Sequence, residues 1–263
     1  MHSSQTPTAD AVSIEVLSRD TPVNMANQWY EYATAEHFWM QWRFQVLKNL
    51  LAKQSLGDKI IEIGCGNCIA RDQFEDYLNL PIDGCDLNRS SVEMAGPARG
   101  KLYLYDIFDA RPEWKEHFST ILLLDTLEHI DQPAEFLKAI GYHSQPNGLL
   151  VINVPALQSL YSAYDEIAGH VKRYTKSLLA KELEAGGYEL VDAQYWGLSM
   201  IPVLSLRKAL GAIWSRERVI ANGFQPSSKV IDGTLRALMK AECALLRRPP
   251  LGTSLSAVAR KRS

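Results

Sequence analysis

The stretch Gly64-Cys65-Gly66-Asn67-Cys68 combines two patterns that could each carry chemistry. A Gly-x-Gly turn after a strand lets the backbone approach a ligand closely, and the next helix directs its free N–H groups at that ligand. The Cys-x-x-Cys pair is typical of thiol–disulfide exchange or of half a zinc site. A zinc site needs four ligands, and no second Cys-x-x-Cys or close His pair supplies them. The choice between nucleotide and thiol chemistry therefore depends on residues further along the chain.

The composition indicates one large core. The chain has 263 residues, of which 46% are hydrophobic and 22% are charged. A net charge of −2 hides an asymmetry, since residues 200–263 hold 12 Lys or Arg against 3 Asp or Glu. Such a segment could face an acidic substrate, a membrane surface or nucleic acid, or form a solvated helical face. No secretory signal and no uninterrupted run of 18 apolar residues is visible, so a cytoplasmic setting without a membrane span is predicted.

From residue 59 onward, short apolar runs alternate with amphipathic stretches, a pattern typical of βαβ units. Strands are predicted at 59–63, up to 86, and at 102–105, 118–124, 149–154, 188–196 and 252–260. Helices are predicted at 69–78, 89–96, 133–142 and 175–185. The fold class is therefore α/β, a Rossmann-like, seven-stranded, mostly parallel sheet with helices on both faces.

Two segments lie outside this alternation. Residues 1–50 are predicted to form an N-terminal helical cap on a main domain of residues 51–263. Residues 198–248 are predicted to be a helical insertion before the last strand, with two helices joined by a loop around 223–228. The cap carries aromatic residues at helical spacing, which form either core or the wall of a cleft. These aromatics are Trp29, Tyr30, Tyr32, Phe38, Trp39 and Trp42. As a cleft wall, Trp39 and Trp42 would contact a bulky, partly apolar substrate.

An acid at the end of the second strand decides between the two patterns. Asp86 follows Gly66 by 20 residues, where a carboxylate can accept hydrogen bonds from both hydroxyls of a ribose. A dinucleotide site would read Gly-x-Gly-x-x-Gly, but position 69 is Ile and Ala70 only approximates the last glycine. Glu62 would place a negative charge near the ligand, which suits a cation such as a sulfonium better than a pyrophosphate. A nicotinamide-dependent oxidoreductase stays as the alternative.

The segment Glu62-x-Gly64-x-Gly66 resembles motif I of the class I S-adenosylmethionine-dependent methyltransferases. The resemblance continues in consistent order over roughly residues 57–195, through the stretches 84–88, 105–107, 125–130 and 145–150. It implies S-adenosylmethionine as the cofactor. The implied cofactor-binding residues are Glu62, Gly64, Cys65, Gly66, Asp86, Leu87, Asp106, Ile107 and Asp125. Many members carry a third glycine where this chain has Cys68, which could crowd the methionine end of the cofactor.

Later segments resemble a bacterial branch that acts on small molecules, often in specialised metabolism. They are residues 153–156, 164–166 and 169–174. The resemblance implies methyl transfer and leaves open whether the acceptor atom is O, N or C. RNA methylation through the basic C-terminal quarter is an alternative, but neither Asn-Pro-Pro-Tyr nor a Pro-Cys pair is present. A small-molecule acceptor is therefore expected, with no nucleic acid and with a homodimer as one compatible assembly.

Methyl transfer from a sulfonium is an in-line displacement, so a base and precise positioning are what the protein must supply. Open α/β sheets bind ligands at the carboxyl ends of their strands, which directs attention to the segments after the fourth and fifth strands. The predicted catalytic residues are His170, His129, Tyr164 and Glu166, in that order of preference for the two histidines. A structural histidine is an equal alternative at both positions. Arg173 is a candidate contact to an acceptor carboxylate, although an internal ion pair with Asp165 or Glu166 is favoured. No metal site is predicted.

Overall fold

The computed structural model describes residues 13–19, 33–211 and 229–262. The predicted aromatics Trp29, Tyr30 and Tyr32 and the predicted loop around 223–228 lie outside these residues. The strands are β1 (Ile14–Val16), β2 (Ile60–Ile63), β3 (Ile82–Asp86), β4 (Leu102–Leu104), β5 (Phe118–Leu124), β6 (Ser144–Pro155), β7 (Tyr188–Trp196) and β8 (Ser254–Lys261). The helices are α1 (Phe38–Leu51), α2 (Ile69–Leu78), α3 (Arg89–Val92), α4 (Pro133–His143), α5 (Ala163–Ala168), α6 (Lys176–Ala185), α7 (Ile201–Gly211) and α8 (Lys229–Leu245).

The strands form one sheet in the order β1-β4-β3-β2-β5-β6-β8-β7. Neighbouring strands are parallel except that β8 runs antiparallel to both β6 and β7. The predicted Rossmann-like, mostly parallel sheet is confirmed, with eight strands where seven were expected. The additional strand β1 pairs with β4, opposite Leu102–Leu104, within the segment predicted to be a helical cap. Of its three residues one is partly buried and two are exposed, so the sequence shows no apolar run here and only backbone pairing reveals the strand.

Each face of the sheet is covered by helices. Successive residues of β2 point to opposite faces, so Ile61 joins one apolar cluster and Ile60 joins another. Helices α4 and α6 cover the first face through Leu137 and Leu183. Helices α1 and α2 cover the second face, where the apolar side chains of both helices pack on the sheet. Because its strands are buried on both sides, the sheet leaves its strand ends as the place for a ligand.

The cap helix and the insertion meet in a third apolar cluster at the carboxyl end of β7. Its buried members are Phe38, Trp42, Val46, Trp196, Met200 and Met239. Trp42 is 0% exposed, so it belongs to the core and presents no surface to an acceptor. The Trp39 ring packs against this cluster, 4.6 Å from the Trp196 ring, and is only partly buried. Contact between Trp39 and an acceptor stays a prediction.

A buried carboxylate fixes the insertion to the sheet. Glu242 of α8 accepts hydrogen bonds from the backbone N–H groups of Gly197, Leu198 and Ser199 at 2.7, 3.1 and 2.8 Å. These residues follow directly on β7, so α8 is held at the carboxyl edge of the sheet.

Among the described residues, no helix is both long and apolar enough to cross a bilayer.

Candidate active site

The turn after β2 requires its glycines. Gly64 and Gly66 have φ values of 72° and 53°, in the left-handed region that favours glycine. A Cβ on Gly64 would lie 2.4 Å from Oγ1 of Thr126, which follows β5. The turn carries Gly66 to the end of β3, where its N–H donates to Oδ2 of Asp86 at 2.8 Å. The two residues whose spacing indicated a ribose site are therefore directly bonded.

Asp86 retains acceptor capacity for a ligand. Its Oδ1 accepts a hydrogen bond from the N–H of Asn88 at 2.8 Å, and Gly66 bonds the other oxygen. A carboxylate offers about four acceptor positions, so each oxygen can accept one more donor, such as a ribose hydroxyl. Burial raises the pKa of Asp86, and these backbone N–H groups oppose that shift.

Glu62 lies beneath the turn instead of at its surface. It is 3% exposed, and its Oε2 accepts a hydrogen bond from the N–H of Arg71 in the first turn of α2 at 2.8 Å. Burial raises the pKa of Glu62 to about 8, although the charge of Arg43 opposes the shift. Glu62 is therefore mostly protonated at neutral pH and does not carry the negative charge expected from the sequence. A cation bound nearby would favour its ionised form.

The cysteines of the turn are packing residues. Cys68 precedes α2 with φ 67°, so it adopts the conformation that a glycine would favour at this position. Its side chain is buried with those of Cys65, Val92 and Leu102, so the thiol points into the protein. The neighbouring Cys68 thiol and burial raise the pKa of Cys65 well above its usual value. Because thiol chemistry needs a thiolate, this environment argues against a redox pair.

A buried arginine that the sequence reasoning missed lies at the same strand ends. Arg43 of α1 pairs with Asp125, with Nη1 and Oδ2 2.5 Å apart. The amide of Asn153 donates to the other oxygen of Asp125 at 2.6 Å, and its own oxygen accepts from Trp196 and Ser256. The sequence signal was a single arginine within the aromatic stripe of α1.

One donor of Arg43 is left over. Its Nε is buried and has no hydrogen-bond partner among the described residues. A buried donor without a partner costs free energy, and an anionic ligand group would satisfy it. Together with the glycine turn and Asp86, this donor fits a cofactor that carries a ribose at one end of the site and a carboxylate near Asp125.

The predicted cofactor-binding residues Asp106 and Ile107 are held in place by the residues that follow the N-terminal strand. Asp106 follows β4 and begins a short 3-10 helix that contains Ile107, and its Oδ1 accepts from the N–H of Phe108 at 3.0 Å. Ser18, just after β1, accepts from the N–H of Asp106 at 2.8 Å and donates to Oδ2 of Asp109 at 2.5 Å. Leu87 is partly exposed beside Asp86. The additional strand therefore positions the loop after β4.

A polar cluster follows β5 and β6. His170 Nδ1 lies 2.9 Å from Oδ1 of Asp165, which is fully buried. Arg173 donates to both oxygens of Asp165, at 2.8 and 3.1 Å, so it makes the internal ion pair that the sequence favoured. Burial alone would raise the pKa of Asp165, but the hydrogen bonds and charges of His170 and Arg173 lower it. Asp165 is therefore a carboxylate that fixes the imidazole of His170.

His129 and Glu128 complete this cluster. His129 Nδ1 lies 3.1 Å from the carbonyl oxygen of Gly169, so we assign the proton to Nδ1 and the lone pair to Nε2. Burial lowers the pKa of His129 to about 4, and the neighbouring His170 adds to the shift, so the ring is neutral at physiological pH. Glu128 Oε1 is 3.9 Å from His170 Nε2, and Oε2 is buried without a partner among the described residues. Burial and the nearby Asp125 raise the pKa of Glu128 well above its usual value.

This cluster also satisfies the distance condition for a cation. Glu128, His129 and His170 each place one possible ligand atom within 4.8 Å of the others. The sequence predicted no metal because it shows no second Cys-x-x-Cys and no close His pair. His170 lies about 40 residues after His129 in the chain, so only the fold brings the two together. The arrangement thus supports either proton transfer or cation binding.

The other two predicted catalytic residues lie differently. Tyr164 is covered by Arg207 of α7, whose guanidinium carbon is 4.3 Å from the centre of the Tyr164 ring. Burial raises the pKa of Tyr164, so at neutral pH its hydroxyl is a hydrogen-bond donor and not a base. Glu166 is exposed on α5 and is not brought into the cluster. Its predicted catalytic role stays a prediction that the geometry does not support.

The chain is similar in sequence to a known methyltransferase. Over 156 residues the chain is 22% identical to the mitochondrial ubiquinone biosynthesis O-methyltransferase of Schizosaccharomyces pombe, which covers 54% of this chain and 56% of that protein. The chain therefore spans about half the length of this curated relative.

Solved structures show the same fold. The methyltransferase bound to the Haloferax volcanii Trm112 methyltransferase activator superposes with a TM-score of 0.60 at 15% identity, covering 92% of this chain and 100% of the other. Phosphoethanolamine N-methyltransferase 2 of Haemonchus contortus, solved with phosphomonomethylethanolamine and S-adenosylhomocysteine, has a TM-score of 0.52 at 17% identity and covers 86% of this chain and 53% of the other. The profile of the methyltransferase domain family matches residues 14–193, which is more than half of the sequence. The chain belongs to this family of S-adenosylmethionine-dependent methyltransferases.

Proposed function

We propose that this methyltransferase transfers the methyl group to a hydroxyl of a small aromatic acceptor, with His170 as the base. The observation that carries the proposal is the hydrogen bond between Asp165 and His170 at the strand ends that also carry the cofactor turn. A carboxylate that holds Nδ1 of an imidazole leaves Nε2 to take up a proton and stabilises the imidazolium that forms.

The cofactor would be held by the residues that fit its parts. Asp86 would accept hydrogen bonds from the ribose, the Gly64–Gly66 backbone would approach the methionine moiety, and Arg43 Nε would bond its carboxylate. When bound, S-adenosylmethionine supplies an activated methyl group on a sulfonium. Its positive charge would also favour ionised Glu62 beneath the turn.

Two histidines have different tasks in this proposal. A phenol has a pKa near 10 in water, roughly that of tyrosine, so a base must take its proton as the methyl group arrives. His129 is a poor choice because burial lowers its pKa to about 4. Its neutral ring, 4.9 Å from that of His170, would instead line the acceptor site without taking the proton. Tyr164 would donate a hydrogen bond from the other wall of the cleft.

A hydroxyl acceptor is favoured over an amine or a carbon for two reasons. The curated relative is named as an O-methyltransferase. In addition, the paired histidine is suited to deprotonating a weakly acidic O–H group. The partly exposed Trp39 would stack on a flat acceptor. The cytoplasmic setting, the specialised-metabolism role and a homodimer stay predictions.

The proposal is tested by S-adenosylhomocysteine release from the full chain with catechol, phenol or aniline as acceptor. We expect turnover of the phenolic compounds and a higher melting temperature with S-adenosylhomocysteine but not with NAD. A shift with NAD alone would indicate an oxidoreductase, and turnover of aniline alone would exclude the hydroxyl acceptor. If a chelator abolishes the activity and Mg²⁺ restores it, the cluster of Glu128, His129 and His170 acts by binding a cation and not by proton transfer.

A further inference from the structure

Helix α8 presents a continuous small and apolar surface to solvent. Val230 and Leu245 are 78% and 80% exposed, and Leu238 between them is also exposed. Thr234, Ala237 and Ala241 share this side of the helix and are exposed, since positions three, four and seven apart lie on one face. The Thr234 hydroxyl donates to the carbonyl oxygen of Val230 at 2.9 Å, so its polar group is satisfied within the helix. We name Val230, Thr234, Ala237, Leu238, Ala241 and Leu245 the α8 stripe.

The stripe is not the core-facing side of α8. Met239 and Glu242 are buried, and Leu235 packs against the aromatic cluster of the cap. These residues hold the helix on α1 and on the end of β7, while the stripe faces outward. Apolar surface continues past the helix, where Leu246 and Leu251 are exposed. Eight of the fourteen large apolar residues that are exposed among the described residues lie between 203 and 251. The apolar surface is therefore concentrated on the insertion.

Positive charge accompanies this surface. The described residues of 198–251 carry seven Lys or Arg and two Asp or Glu. Of the two acids, Glu242 is buried and Asp232 is bonded by Arg236 at 2.6 Å. Lys229 and Lys240 are exposed along one border of the stripe, and Arg247 is exposed at its C-terminal end. An apolar face bordered by Lys and Arg is the pattern of a helix that lies in the plane of a bilayer interface.

We propose that the α8 stripe docks this enzyme on an anionic lipid bilayer, with the helix parallel to the membrane plane. A second copy of the chain is a poorer occupant, because each copy would bring the same excess of positive charge to the contact. A protein partner is also disfavoured, since the centres of protein interfaces are enriched in aromatic residues and methionine, whereas the stripe holds only Val, Leu, Ala and Thr.

Docking would bring the active-site edge of the sheet to the membrane. Helix α8 is fixed through Glu242 to the residues after β7, and β7 runs parallel to the strands that carry the cofactor turn. The part of α8 around Glu242, which carries the C-terminal half of the stripe, thus lies at the same edge as the active site. An acceptor dissolved in the bilayer could then reach the cleft without crossing much water. This inference does not depend on which atom is methylated.

Flotation of the full chain with vesicles tests the proposal. One set is phosphatidylcholine alone and the other is phosphatidylcholine mixed with phosphatidylglycerol. We expect binding to the anionic set only, weakened by added salt. Leu238→Glu and Leu245→Glu should each lower the partition coefficient by about tenfold or more, because one leucine no longer enters the interface. Lys240→Gln should lower it about fivefold.

Two control variants make the same kinds of substitution at exposed residues outside the α8 stripe. Met94→Glu alters an exposed apolar residue outside the insertion, and Lys53→Gln removes an exposed cation beyond α1. Both should bind like the unaltered chain. Equal binding to the two vesicle types, binding to neither, or unchanged binding of Leu238→Glu would overturn the proposal. A dimer in vesicle-free solution that Leu238→Glu abolishes would assign the stripe to a second copy. Melting with and without S-adenosylhomocysteine checks that each variant folds.

Discussion

Arg43 and Asp125 are 82 residues apart in the chain, yet their side chains form an ion pair at 2.5 Å. Arg43 belongs to α1, which covers the sheet, and Asp125 follows β5 at the strand ends. Asn153 holds the second oxygen of Asp125, so the carboxylate is fixed from two directions. Helix α1 is therefore a structural part of the candidate cofactor site as well as a cover for the apolar face.

Replacement of Arg43 should weaken cofactor binding. In Arg43→Gln, the pair with Asp125 and the proposed bond from Nε to the cofactor carboxylate are both lost. Hydrogen bonds to charged groups are worth about 1.5–3 kcal/mol, so affinity for S-adenosylhomocysteine should fall roughly tenfold to a hundredfold by titration calorimetry. Lys48→Gln removes a cation from the same helix that lies over the rings of Phe44 and Tyr77, and it should bind normally. Equal losses in the two variants would contradict a direct role for Arg43.

Asp86 and Cys68 should respond in opposite ways. Asp86→Ala removes both the ribose acceptors and the bond that holds Gly66, so cofactor affinity should be largely lost. Cys68→Ser leaves the backbone of the turn unchanged, and the side chain points into the protein, so affinity should change by less than about threefold, or about 0.6 kcal/mol. The measurement is the same titration, with melting curves to confirm folding. Loss of binding in the Cys68 variant alone would restore a chemical role for the thiol.

The turn and the sheet could be predicted from the sequence because their signals are local. A strand, a turn and a second strand end are indicated by the apolar run at 59–63, by the glycines and by an acid 20 residues later. In the structure, the N–H of Gly66 donates a hydrogen bond to Asp86. The alternation of apolar runs likewise predicts the core strands. These patterns depend on residues close together in the sequence, so a single chain is enough to show them.

Other parts of the site depend on contacts that leave no local pattern. Arg43 meets Asp125 across 82 residues, and Ser18 meets Asp106 across 88. Strand β1 has three residues, and it is specified by pairing with β4 and not by hydrophobicity. The protonation state of Glu62 could not be predicted from the sequence either, because burial and not residue type raises its pKa. Tertiary environment decides each of these cases.

Glu62 should make the stability of the cofactor-free protein depend on pH. Its ordinary pKa of 4.5 is raised to about 8 in the folded protein. The folded state therefore binds a proton that the unfolded state has released, so the free energy of unfolding should fall as pH rises from 4.5 toward 8. Urea unfolding at several pH values in this window measures the slope. Glu62→Gln should flatten this slope. The sulfonium of S-adenosylmethionine favours ionised Glu62 and should also reduce the slope, and S-adenosylhomocysteine, which lacks the sulfonium, is the control. An unchanged slope in Glu62→Gln would rule out this origin.

His170 should matter for turnover and not for cofactor affinity. In His170→Gln the proposed proton acceptor, which Asp165 holds, is lost, so kcat should fall by about 10²–10⁴-fold while binding of S-adenosylhomocysteine is retained. His117→Gln, the same change at the opposite end of β5, should leave kcat unaltered. Asp165→Asn should lower kcat and also stability, because Arg173 loses its buried partner. Since the pKa of Asp165 is lowered in the folded protein, that lost stability should be greatest at neutral pH and vanish as pH falls through the folded pKa. Full activity of His170→Gln on a phenolic acceptor would leave positioning alone as the source of catalysis.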